Sequence, residues 1–539
     1  MGHVTAAGAC SAHCPPSRSR TASHTQARLT AASQIGSGVV TDASNVIDPE
    51  FAGLPLANLA DAALAAARQA GAQHADFRAE RVRAQRVRLS DASLQALSDA
   101  DDRGLAVRVI VDGTWGFAAA VDLTPQAAAD AARKAVEVAK VAAAMNTERI
   151  ELAPEPGYGE VSWVSAYAVD PFSVASKEKV DLLASWSQAL LAHRAVSHAD
   201  ASLYQVKECK FYTDGVTTAT QQRVRLYPQL TAIAVTGSGF DDMRTLAPPV
   251  GRGWEYLTGP DGPGAEIAEL PELLAEKLQS PSVEAGRYDL VIDPSNLWLT
   301  IHESIGHATE LDRALGYEAA YAGTSFATLD KLNSLQYGST LMHVTGDRTA
   351  EHGLATVGYD DEGVATQSWD LISGGVLTAY QLDRRIARLT GFGRSNGCAF
   401  ADSPMHMPIQ RMANVSLQPA ADGPSTDDLI AGVQRGIYVV GDKSWSIDMQ
   451  RYNFQFTGQR FYKIENGRLA GQLRDVAYQA TTTDFWNSME AVAGPQTYLL
   501  GGAFNCGKGQ PMQVAPVSHG CPAALFRGIR ILNTAEEGA

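Results

Sequence analysis

The 539-residue chain is 45% hydrophobic and 19% charged, the balance of an ordinary soluble protein, and it is too long for one simple core, so two or three domains are expected. Its formal charge of −15 argues against nucleic acid as a partner, since a phosphate backbone calls for a basic face. No run approaches the roughly eighteen apolar residues of a membrane span, the N-terminus has no apolar signal-peptide core, and the cysteines (Cys10, Cys14, Cys209, Cys398, Cys506 and Cys521) lack the spacing of a disulfide framework. A reduced, cytoplasmic setting without membrane attachment fits these features.

Residues 1–50 are rich in Ser, Thr, Ala and Arg without periodicity and read as a disordered N-terminal extension, with Cys10, His13 and Cys14 inside it. A helix-former run at 57–72 is followed by strand-like alternation over 75–121, with turns expected at Asp101-Asp102 and Asp112-Gly113. Residues 124–145 read as a helix with Thr124 as N-cap and Pro125 in the first helical position. A linker at 152–162, an amphipathic helix at 175–195, a strand block at 199–238, a loop at 251–263 and a helix at 264–280 that accommodates Pro271 complete an N-terminal α+β domain, 51–285, with helices on an antiparallel sheet. The remainder, 286–539, opens with a buried-type strand at 287–294 that runs into a helix. From about residue 340 it breaks into short segments with turn signals at Glu362-Gly363, Gly374-Gly375, Asn396-Gly397 and Asn466-Gly467, which suit a twisted antiparallel β-barrel or sandwich. The fold class expected is therefore α+β.

The helix after that strand carries His302-Glu303 and, five residues from His302, His307. Neutral imidazoles are good Zn²⁺ ligands, and a carboxylate beside them can take a proton from a water that the metal has acidified. The HExxH signature of metalloproteases uses the same parts with the histidines four apart. At five apart, an ideal helix turns the second ring roughly 140° past a full turn. A one-residue π-bulge, or a helix loosened at Gly306, would bring it round. The bland alternative is a pair of helix histidines, one facing solvent and one bonded to backbone.

A zinc site needs a third protein ligand, and His343, His352, His406, His519, Glu310, Cys398, Cys506 and Cys521 all lie in the same half of the chain. Glu310 shares the helix face of His307 and suits the task of orienting that imidazole better than ligation. Cys506 sits in GGAFNCGKGQPM, where flanking glycines let backbone approach closely and a thiolate would suit zinc, although a lone Cys is more often a small buried hydrophobe. Arg451, Tyr452, Lys508 and His519 could line such a site; each is more readily read as a solvated or packed residue.

Four stretches now carry a specific resemblance: GLAVRVIVDGTWGFA (104–118), VIDPSN with TIHESIGHATELD (291–312), YDDEGVATQ (359–367) with the later Arg411-Met412-Ala413-Asn414, and YKIENGRLAGQLRDVAY leading to NCGKGQPM (462–512). Over most of 55–535 the chain resembles the TldD/PmbA family of metallopeptidases, also called modulators of DNA gyrase, and within it the TldD-like catalytic branch. The resemblance implies His302, His307 and Cys506 as ligands of Zn²⁺ and Glu303 as general base. It also implies an N-terminal α+β domain, a C-terminal β-barrel-like domain carrying the metal helix, and a TldE/PmbA-like partner subunit or a homodimer. Its implied substrates are unfolded or small peptides, leader peptides and antitoxin-like segments among them. The ending VSHGCPAALFRGIRIL and the extension 1–50 depart from the family pattern.

The function expected is thus a zinc-dependent metallopeptidase, in which an extended peptide docks by adding a strand to an exposed sheet edge. Two rival classes are a non-catalytic peptide-binding or regulatory subunit and a metal amidase acting on a small molecule.

Overall fold

A computed structural model describes residues 46–237 and 239–537. The Cys10, His13 and Cys14 cluster, and the extension up to residue 45, lie outside the described residues. Helices Pro49–Ala52 and Leu56–Gln69 come first. The next strand reads Asp76-Phe77-Arg78-Ala79-Glu80, and this two-residue alternation gives its sheet one apolar and one charged face. Phe77 and Ala79 pack with Leu105, Val107 and Val109 under helices Leu56–Gln69 and Pro125–Ala142. Thr124 caps the second helix by accepting from the Ala127 amide, with Pro125 opening it.

The sheet runs, in spatial order, Thr114–Ala120, Ser93–Val111, His74–Ser90, His198–Thr213, Thr217–Thr236 and Gly159–Val164, with Gly239–Arg244 also paired to Thr217–Thr236. Its pairings are antiparallel except the last, where Gly159–Val164 lies parallel to Thr217–Thr236. Part of the expected 152–162 linker is thus a strand. Asp101-Asp102 is not a turn: both residues lie mid-strand opposite Arg83 and Val82, and Arg81 neutralises Asp101 through a two-pronged bond. The hairpin turns instead at Asp91-Ala92, both at positive φ (49° and 59°), as a two-residue turn requires, without the usual Asn-Gly label. The helix expected from 264 begins at Leu270, because Pro271 fits only its first turn.

Five further strands close a barrel in the order Arg435–Ile447, Gly286–Ile292, Ala524–Asn533, Val476–Thr481 and Asn453–Glu465, the last returning to the first. The fold is α+β, an antiparallel-rich N-terminal sheet and a C-terminal barrel. One barrel pair, Gly286–Ile292 with Arg435–Ile447, is parallel. Strand Gly286–Ile292 is covered on both faces at its end, Leu290 and Ile292 in one apolar cluster and Val291 in another, which accounts for the apolar run Leu290-Val291-Ile292. Of the four expected turns, Gly374-Gly375 and Asn466-Gly467 join adjacent strands as two-residue hairpins with both residues at positive φ; Glu362-Gly363 and Asn396-Gly397 lie in loops.

The charged face of the N-terminal sheet is not solvated. Arg108 donates to Asp76 Oδ2 at 2.7 and 2.9 Å and to Glu362 Oε1 at 2.7 Å, while Lys210 reaches Asp361 at 2.7 Å, so buried ion pairs join sheet to C-terminal half. Burial pushes the Asp76 carboxyl up, but Arg108 and His74 together outweigh it and hold it at about 2. The pair therefore stabilises the fold above about pH 4, the unfolded carboxyl range, and that contribution is lost as pH falls through about 2. Arg108→Met should destabilise the protein by about 3–5 kcal/mol, because two buried carboxylates lose their cation. Urea unfolding at pH 7 would measure this, and a change below about 1 kcal/mol would contradict it.

Candidate metal centre

Strand Gly286–Ile292 ends at Asp293, whose carboxylate accepts from the Ser295 amide and caps the helix Pro294–Ile301. Leu297, Ile301 and Ile305 are fully buried in the main apolar cluster, each contributing about 1.5–3 kcal/mol, so this segment is firmly anchored. After Ile301 the helix widens into a π-turn, His302–Gly306, in which the His307 amide donates to the His302 carbonyl at 3.0 Å. The two imidazoles end 4.6 Å apart, centroid to centroid. Gly306 lets Met412 pack closely here: a Cβ would lie 2.5 Å from the Met412 sulfur, which would have to shift.

Cys506 arrives on the strand Leu499–Lys508, which passes so close to the helix Pro294–Ile301 that a Cβ at Gly501 would meet Trp298 at 2.6 Å. Its Sγ lies 3.6 Å from His307 Nε2. The ligand atoms of His302, His307 and Cys506 all fall within 4.8 Å of one another, and all three residues are buried.

The bond network assigns the proton positions. His519 Nδ1 faces the Val415 carbonyl at 2.8 Å and must carry hydrogen; its Nε2, 2.7 Å from His302 Nδ1, therefore accepts, and His302 keeps Nε2 free as a lone pair. Burial drives His519, His302 and His307 all below their ordinary values, favouring neutral rings. His307 Nδ1 donates to Glu310 Oε2 at 2.8 Å, which likewise frees its Nε2. Burial pushes Glu310 up, but Lys508 (3.0 Å) and Arg313 (3.1 Å) hold it well below the carboxylate range. Burial also raises the Cys506 thiol, and His307 and Arg411, the latter 3.3 Å from Sγ, reverse that to leave it below its ordinary value. Two lone-pair nitrogens and a sulfur biased toward thiolate, converging within one ion's reach, fit a tetrahedral metal site with an open fourth position.

These residues form one wall of a cavity of about 460 Å³, shared with Tyr227 and Arg244 of the N-terminal sheet and with Trp298, Trp445 and Phe504. Glu303 lines it too, its Oε2 accepting from Arg451 Nη1 at 2.6 Å. Of the other ligand candidates, Glu310 and His519 each bond an imidazole at the nitrogen turned from the centre. His406 bonds Asp402, His352 neighbours Glu351, His343 accepts from the Gly374 amide, Cys521 donates to the Pro294 carbonyl, and Cys398 is fully buried. Arg451, Lys508 and His519, more readily read as solvated or packed residues, all touch the site; Tyr452 instead bonds Thr483. Lys508 was findable, since positions two apart on a strand share a face and Cys506 marks that face. Nothing in the spacing of His519, Arg411 or Arg451 announces them.

Models of the PmbA/TldA metallopeptidase C-terminal domain and of PmbA/TldA metallopeptidase domain 1 match residues 285–533 and 75–139. The chain is 27% identical to a metalloprotease of Methanothermobacter thermautotrophicus, over 83% of this chain and 92% of that one. It is 26% identical to a metalloprotease TldD homolog of Haemophilus influenzae, over 83% and 90%. A zinc metalloprotease TldD homolog of Saccharolobus solfataricus is 25% identical over 49% of this chain and 56% of that one. The fold matches a candidate modulator of a DNA gyrase from Thermotoga maritima with a TM-score of 0.70 at 17% identity, covering 88% of this chain and 100% of that one. It also matches TldE from Thermococcus kodakarensis at 0.67 and 16%, covering 88% and 99%. The chain belongs to the TldD/PmbA family of metallopeptidases.

Removing the ring behind His302 should loosen metal capture without unfolding the chain. His519→Ala is expected to bind zinc about 10–100-fold more weakly while keeping its melting transition, as read by competition with a chelating dye. Unchanged affinity would mean that His302 is oriented without His519.

Proposed function

We propose that this protein is a zinc-dependent peptidase of the TldD-like catalytic branch that hydrolyses unfolded or small peptides, such as leader peptides and antitoxin-like segments. The observation that carries this reading is the convergence of His302, His307 and Cys506 beside Glu303 on one cavity wall. A nitrogen–nitrogen–sulfur donor set suits zinc, and the name of the Saccharolobus relative supports that choice. Bound there, zinc would supply a Lewis acid that polarises a carbonyl and acidifies water. The chain's own residues divide the remaining work. His519 and Glu310 aim the two imidazoles, Arg411 favours the thiolate, and Glu303 takes a proton from the attacking water and hands it to the leaving amine.

A peptide is favoured over a compact small molecule by the strand edge at the site. Strand Leu499–Lys508 pairs only with Gln513–Cys521 among the described residues, and Leu499 and 501–507 line the cavity. An extended chain laid along that edge would bond through its backbone, which gives affinity with little sequence preference. The fold likeness to TldE and the family support a TldE/PmbA-like partner subunit, or a second copy, as the assembly. No helix of the described residues is long and apolar enough to cross a membrane, and the described cysteines are free, which supports a cytoplasmic site of action. We take 51–285 as the N-terminal domain, 286–539 as the metallopeptidase domain, and 1–50 as an extension.

Glu303→Gln should keep near-stoichiometric zinc by elemental analysis and cleave an unstructured peptide about 10²–10⁴-fold more slowly. Turnover within a few-fold of wild type would remove Glu303 as the base.

A further inference from the structure

Resting on the peptidase reading above, we infer that Arg451 is a catalytic residue that stabilises the negative charge developing on the substrate's carbonyl oxygen. Arg451 sits in the tight turn between the barrel strands Arg435–Ile447 and Asn453–Glu465, in the left-handed region at φ 64°. A side chain there is strained, and such strain persists only where the surroundings hold it. They do so thoroughly. Asp448 accepts from the amides of Gln450, Tyr452 and Asn453 at 3.1, 2.8 and 3.0 Å, the Met449 and Gln450 carbonyls accept from Thr324 and Phe326, and Thr482 Oγ1 donates to the Arg451 carbonyl at 2.7 Å.

The side chain is held less completely than the backbone. It lines the cavity beside the three metal-ligand candidates with 14% of its side-chain surface exposed. Of its five N–H bonds, one reaches Glu303 at 2.6 Å, one makes a long contact to the Ala322 carbonyl at 3.2 Å, and the buried Nε has no acceptor. Glu303 is its one carboxylate partner among the described residues. A nearly buried cation with spare donors, whose one carboxylate partner is the base, is placed to follow that charge when it moves.

The reaction moves it. The water oxygen bonds to the carbonyl carbon, the carbonyl π pair shifts onto oxygen, and the water proton passes to Glu303. The negative charge leaves the carboxylate and appears on the substrate oxygen. The C–N bond then breaks as the carbonyl re-forms, and Glu303 returns the proton to the leaving nitrogen, so peptide plus water gives one carboxylic acid and one amine. A guanidinium paired with Glu303 in the resting state and with the oxygen at the summit binds the transition state better than the substrate, which is the condition for accelerating the step.

Arg451→Gly tests this cleanly, because glycine adopts φ 64° without strain and the turn survives. Beside wild type, on an unstructured peptide, the variant should lose about 10²–10³-fold in kcat with KM within a few-fold. Its zinc content should be unchanged, added guanidinium ion should restore part of kcat, and affinity for a phosphinic peptide analogue should fall in step with kcat/KM. An unchanged kcat, a loss confined to KM, or a loss that comes with zinc and ignores guanidinium would overturn the assignment while leaving the peptidase reading standing. A zinc-loaded wild type that cleaves no peptide would overturn both.

Discussion

Everything at this centre depends on one hydrogen bond of unusual length in sequence, from the His307 amide to the His302 carbonyl five residues back. A regular turn would point the second imidazole away from the first. Widening the turn costs regular helix bonds, and the carbonyls it frees are met from outside. Gln381 Nε2 donates to the Gly306 carbonyl at 2.7 Å and the Tyr337 hydroxyl to that of Ser304. Trp486 Nε1 steadies the Ser304 hydroxyl at 2.9 Å. The π-turn is thus held by side chains from the loops and the barrel around it rather than by local propensity.

From that turn two supports run outward. One passes from His302 through His519 to the Val415 carbonyl, the other from His307 through Glu310 to Arg313 and Lys508. Lys508 also reaches Asp312 and the Gln410 carbonyl at 2.8 Å each. The strand that delivers Cys506 therefore also delivers, two residues on, the cation that holds the carboxylate bonded to His307. A shift of this strand would disturb the thiolate and the His307 ring together. The cavity in front is lined in part by the N-terminal sheet, which the Arg108 and Lys210 ion pairs tie to the C-terminal half.

Local periodicity made the helices at Leu56–Gln69, Pro125–Ala142 and Ser176–Leu191 legible, as well as the strand leading into the metal helix. The turn at Asp91-Ala92 was not, because its backbone conformation is imposed by the strands on either side instead of by Gly or Asn. The charged face of the first sheet also misleads, since alternation of Asp, Arg and Glu looks solvated until a second layer supplies opposite charges. At the site, the spacing of His302 and His307 foretold a widened turn, and Glu310 stood close enough in sequence to be assigned to His307. His519, Arg411 and Arg451 reach the centre only through long-range strand pairing and turn placement. Short-range reading has no access to these.

The central claim is that two imidazoles and one thiolate form a single metal site. Zinc-edge X-ray absorption on the purified full-length protein tests it most directly. The spectrum should show two imidazole nitrogens near ~2.0 Å and one sulfur near ~2.3 Å, with the remaining position filled by a light atom. A shell of nitrogen and oxygen alone, or a preparation that takes up no zinc, would contradict it.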